Sequence, residues 1–163
     1  MALLTVGPAH GYQLKLDYER LLDASLNVGQ VYTTLGRLAR NGLVRKVASS
    51  DDRRKEYAVT AEGREQVRRW LFAVPEAAGQ HREQTINRAL LATVVPDVDL
   101  LDVVDAQRRA LLDQLTALRD RQRDASDPRT QLMLDAQGLR LEATARWLDR
   151  LEARCDELHE RTL

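Results

Sequence analysis

Cysteine occurs once in 163 residues, at Cys155, and a lone cysteine cannot close an internal disulfide. A reducing compartment, the cytoplasm, is therefore expected. No apolar run reaches the ~18 residues of a membrane-span candidate, and no charged start leads into a secretory apolar core, so no membrane partner is expected. Histidine is scarce: His10, His81 and His159 stand far apart, and none has a second ligand at i+3 or i+4 in a fitting pattern. The carboxylates Asp97, Asp99, Asp102 and Asp105 line a helix start, where they suit the helix dipole better than a metal. Gly7, Gly11 and Gly29 lack the strand–turn–helix context of a phosphate loop, and Ser49-Ser50 has no base nearby. No metal, cofactor or catalytic site is expected, and an enzyme is not.

The formal charge is zero, but its distribution is uneven. Residues 1–74 hold 12 Lys and Arg against 8 Asp and Glu, whereas residues 75–163 hold 13 against 17. Seven cations and two anions fall between Arg37 and Lys55. A basic head on an acidic stem is thus hidden by the neutral total, which is no argument against a nucleic-acid partner. A merely solvated charged face is the plain alternative.

The segment LNVGQVYTTLGRLARNGLVR, Leu26 to Arg45, explains that head. Asn27 is a good N-cap for a helix, and Gly42 after Asn41 supplies a left-handed stop. Val28, Val31, Leu35 and Leu38 recur on one face as an apolar stripe for a core. Gln30, Thr33, Thr34 and Arg37 recur on the opposite face. Short donors and acceptors with one cation are side chains that can read base edges or hold phosphate. A second amphipathic segment precedes it, His10 to Leu22, after the breaker Gly7-Pro8. Leu43–Val47 and Lys55–Val59 read as two strands around a turn at Ser49-Ser50-Asp51-Asp52. Arg53, Arg54 and Lys55 place three charges at that wing's tip or inner edge. The expected fold class is mainly α: an N-terminal winged helix-turn-helix with a two-stranded β-hairpin wing, then a long-helix dimerisation region.

GPAHGYQLK, LNVGQVYTTLGRLARNGLVRK and DDRRKEYAVTAEGREQVRRWL, in this order and spacing, resemble the N-terminal domain of the PadR family of bacterial transcriptional regulators. The resemblance covers roughly residues 1–72. It implies a dimeric, ligand-responsive repressor whose wing and reading helix hold operator DNA. Tyr12 and Tyr32 resemble family positions that hold phosphate, although Tyr32 can equally be a ring packed under the wing. The chain begins six residues before Gly7, so the first helix is expected to be shorter than the family's, or the start to lie upstream. The expected place of action is the cytoplasm, at the nucleoid.

Beyond Thr60, a good cap, a helix is expected to about Val74, with Pro75 and Gly79 marking a boundary. This gives two domains, 1–74 for DNA and 80–163 for dimerisation and effector sensing. Further helices are expected over His81–Val95, from Asp97 or Asp99 to about Ala125, and from Arg129 to near His159. The last would span about 30 residues, or roughly 45 Å. Leu134, Leu141, Leu148 and Cys155 repeat every seven positions, with Leu151 and Leu158 as i+3 partners. Such a seam asks for a partner helix from a second copy; an internal antiparallel hairpin is the alternative. A homodimer would set two reading helices about 34–36 Å apart, on an inverted repeat in double-stranded DNA. The resemblance implies a small hydrophobic or phenolic effector, for which Trp70 and Trp147 could stack and Arg88 could answer a carboxylate. The competing function is a winged-helix module that binds protein or effector and no DNA.

Overall fold

The computed structural model describes residues 1–48, 55–74 and 81–160. The described fold is mainly α, with one small antiparallel sheet. It divides into two compact units, Met1–Leu71 with Leu90–Val98, and Phe72–Ala89 with Asp99–Leu163.

The first unit opens with a 3₁₀ turn, Ala2–Thr5, ended before Gly7-Pro8. Strand β1, Ala9–His10, leads directly into α1, Gly11–Leu22. His10 caps that helix, its Nδ1 accepting the Gln13 amide at 3.0 Å. Asp23 then turns left-handed, and Glu19 accepts the Leu26 amide at 2.9 Å, which fixes the turn into α2. Helix α2, Val28–Arg40, starts on the Asn27 side chain, which accepts from Gly29 N at 2.7 Å. It stops at Gly42, whose φ of 72° only glycine adopts without strain.

Strands β2, Val44–Val47, and β3, Glu56–Val59, pair antiparallel, Val44 opposite Val59 and Val47 opposite Glu56. β1 adds to the free edge of β3, giving the order β1-β3-β2. That two-residue strand is too short for a periodic pattern and was not expected. Leu4, Leu14, Leu35, Val44, Tyr57 and Val59 form the core, with Val31 and Leu38 packed partly against it. Val28 departs from the expected apolar stripe. At the first turn of α2 it lies beyond the core and is 43% exposed.

Thr60 caps α3, Ala61–Phe72, accepting the Gly63 amide at 3.1 Å while its hydroxyl lies 2.8 Å from the Gly42 carbonyl oxygen. The end of α2 and the start of α3 are thereby joined. Helix α4, His81–Ala92, ends three residues earlier than expected, because Val94 and Val95 turn back onto Leu91 and Ala92 before Pro96.

In the second unit, Asp99 caps α5, Leu100–Asp124, and Asp127 caps α6, Pro128–Glu152, with Pro128 in the first turn. The two run antiparallel. Arg108 reaches Asp149 and Glu152 from α5, Gln122 meets Asp135 at 2.9 Å, and Leu118 faces Gly138. The expected final helix is broken. Arg154 N bonds Leu151 O, a tight turn that no proline or glycine announces, and α7, Cys155–Glu160, follows.

Candidate nucleic-acid interface

Helix α2 is held by one face and open on the other. Leu35 is buried and Val31 and Leu38 half-buried, whereas Gln30, Thr33, Thr34 and Arg37 are all exposed. The sequence periodicity therefore sorts into core and surface as the 3.6-residue turn requires. Thr33 donates to the Gly29 carbonyl at 2.8 Å, which fixes its rotamer and leaves its oxygen able to accept. Arg37 and Arg40 sit in the last turn, where cations complement the negative helix end.

Tyr12, on α1, and Tyr32, on α2, are 53% and 45% exposed. Tyr32 is thus neither a core ring nor a freely swinging one, because its edge closes on Gly11. Of the three expected wing cations, Lys55 is exposed just before β3, and Arg53 and Arg54 lie outside the described residues. Arg45 and Lys46 on β2 were not singled out from the sequence, yet both are exposed. Their signal was available: a cation pair inside a strand whose other members, Val44 and Val47, are apolar.

The residues expected to meet a second copy are placed otherwise. Leu134, Leu148 and Leu151 are buried within the single chain, and Leu141 and Leu158 are half-buried. The stripe from Leu134 to Leu148 lies on the side of α6 that carries Gly138, against α5, so the antiparallel hairpin closes it. Leu134 and Leu148, at 1% and 0% exposure, leave no surface for another molecule. The opposite side of α6 is apolar too. Leu132 and Leu139, seven residues apart, are 69% and 67% exposed, with Ala136 and Ala143 exposed on the same side.

Arg88 also departs from its expected part. It is buried and donates to the Ala73 carbonyl, to which Gln107 also donates at 3.2 Å, and Thr85 reaches Gln107. Burial lowers its pKa from the ordinary guanidinium value. It ties the chain after α3 to α4. Trp70 is 38% exposed and Trp147 half-buried. Among the described residues no helix is long and apolar enough to cross a membrane.

Residues 1–69 match the model of the transcriptional regulator PadR-like family. No curated protein matches the chain in sequence. Two solved structures are similar: Bacillus subtilis PadR in complex with operator DNA, at 17% identity over 93% of this chain and 96% of that one, with a TM-score of 0.40; and the PadR-like transcriptional regulator BC1756 from Bacillus cereus, at 19% identity over 95% and 92%, with a TM-score of 0.36.

Proposed function

We propose that this chain, a PadR-like transcriptional regulator by its first 69 residues, is a dimeric repressor that reads an inverted repeat in double-stranded DNA and is released by a small hydrophobic or phenolic effector. The observation that carries the DNA reading is the open side of α2. Gln30, Thr33, Thr34 and Arg37 stand exposed on a helix whose other side is packed into the core. An α-helix fits the major groove, where Gln can pair with adenine and Arg with guanine, each through two hydrogen bonds. Tyr12, Tyr32, Arg45, Lys46 and Lys55 are exposed on the same unit, with hydroxyls and cations suited to backbone phosphate, and the sequence adds the cations Arg53 and Arg54.

The dimer part is supported by the apolar outer strip of α6, Leu132, Ala136, Leu139 and Ala143. A strip of exposed leucines at heptad spacing is surface that a second copy can bury. The effector part is supported only by the two partly exposed indoles, Trp70 and Trp147, which can stack on an aromatic ligand. An effector acts if it binds one arrangement of the dimer better than the DNA-competent one. The bacterial nucleoid is the corresponding place of action.

Footprinting on the segment upstream of the protein's own gene tests the whole reading. Two protected half-sites about 34–36 Å apart would support a twofold reader. A single protected half-site would remove the dimer, and no protection at any protein concentration would remove the regulator.

A further inference from the structure

Gly11 is the first residue of α1 and is buried. Its backbone does not require glycine, since among the described glycines only Gly42 has a positive φ. What it supplies is room. A Cβ at this position would lie 2.7 Å from Cε1 of Tyr32, 2.8 Å from Cζ and 3.2 Å from Cδ1. The ring edge that carries the hydroxyl thus rests against the α1 backbone, at the helix's first turn. Tyr32 belongs to α2, immediately before Thr33 on the exposed face, and nearly half of its surface stays open.

We infer that Gly11 is a positioning residue for DNA binding: by lacking a side chain it seats the Tyr32 ring on α1, which aims the phenol hydroxyl at one DNA phosphate. This rests on the DNA-binding reading above and deepens it. A tyrosine on an exposed helix has two free torsions, and seating one edge of the ring removes most of that freedom before DNA arrives. The hydroxyl then donates to a phosphate oxygen, a charge-assisted hydrogen bond. The three atoms nearest a methyl group at residue 11 all belong to the Tyr32 ring and none to backbone, so the ring swings away and the backbone keeps its path. Alanine also favours a helix over glycine. The fold should therefore not suffer while the aim is lost.

The test is a cycle of four full-length proteins: wild type, Gly11→Ala, Tyr32→Phe and the double variant, titrated with the footprinted duplex and melted in parallel. Tyr32→Phe keeps the ring and removes the donor, so affinity should fall about tenfold, the loss of one hydrogen bond to a charged group. Gly11→Ala should give a similar loss with an unchanged or higher melting temperature. In the Tyr32→Phe background it should add little, because the contact it aims is already gone. Wild-type affinity in Gly11→Ala would overturn the inference, and so would a full additional loss in the double variant. A Gly11→Ala protein melting well below wild type would also overturn it, since the glycine would then serve the fold. If wild type fails to bind the duplex, both the inference and the DNA-binding reading fall.

Discussion

Gly63 stands where α3 begins, and a Cβ there would lie 2.1 Å from the Leu43 carbonyl oxygen, 2.8 Å from Val59 Cγ2 and 3.0 Å from the Leu43 carbonyl carbon. The nearest of these is backbone, about 1 Å inside the closest approach a Cβ tolerates, so no rotamer change relieves it. The same oxygen accepts from Thr60 N at 3.0 Å and lies 3.1 Å from Thr60 Oγ1. Moving it strains the link that holds α3 to the end of α2. Overpacking of this kind costs about 1–3 kcal/mol, and the weakened bonds at Leu43 add about 1 kcal/mol. The gain in helix propensity on replacing glycine with alanine returns about 1 kcal/mol. Gly63→Ala should therefore destabilise the first unit by about 1–3 kcal/mol, seen as a lower urea midpoint with an unchanged slope. Gly36→Ala is the matched control, because nothing lies within 4 Å of its added Cβ; propensity alone should raise stability by up to about 1 kcal/mol. Equal stability of Gly63→Ala and wild type would refute the packing argument.

Arg37→Ala and Gln30→Ala should each weaken binding of the preferred duplex by about 1–3 kcal/mol and relax preference at one base pair; a uniform loss across sequences, read by competition titration, would make them phosphate contacts instead. Leu132→Glu with Leu139→Glu should lower the sedimentation coefficient to a monomer's without changing helix content by circular dichroism, and an unchanged dimer would move the interface off the outer side of α6. The hydrogen bond from Lys15, and then that from the Leu26 amide, hold the Glu19 pKa below its ordinary value. Its contribution to stability is therefore present above the unfolded carboxylate pKa of about 4.3 and is lost as pH falls through the lower folded value. Glu19→Gln should accordingly flatten the acid limb of a stability-versus-pH curve below about pH 5, and an unchanged limb would contradict the assignment.

The exposed polar face of α2 was legible because local chemistry alone sets it. Asn27, Gly42 and the spacing of Leu35 against Gln30 and Arg37 fix where α2 starts, stops and faces, without reference to anything distant. The strand β1 was not legible, since two residues carry no period and only the open edge of β3 recruits them. The role of Leu134 and Leu148 was misjudged for a similar reason. A heptad seam records that a helix has an apolar partner, and the sequence does not say whether that partner is another copy or the preceding helix. Arg108, placed among Asp105, Asp149 and Glu152, pins the antiparallel arrangement, and that pairing across 41 and 44 residues has no local signal. The burial of Arg88 was not legible for the same lack of long-range information: its partner carbonyl at Ala73 is 15 residues away.

Whether the protein reads DNA by sequence is decided by titration of the full-length chain with the upstream duplex and an unrelated duplex, each at about 50 and 200 mM salt. Sequence-specific DNA binding predicts tighter binding to the upstream duplex at both salts and a steep fall of affinity with salt on both. Equal, weak binding to the two duplexes, or binding indifferent to salt, would contradict it.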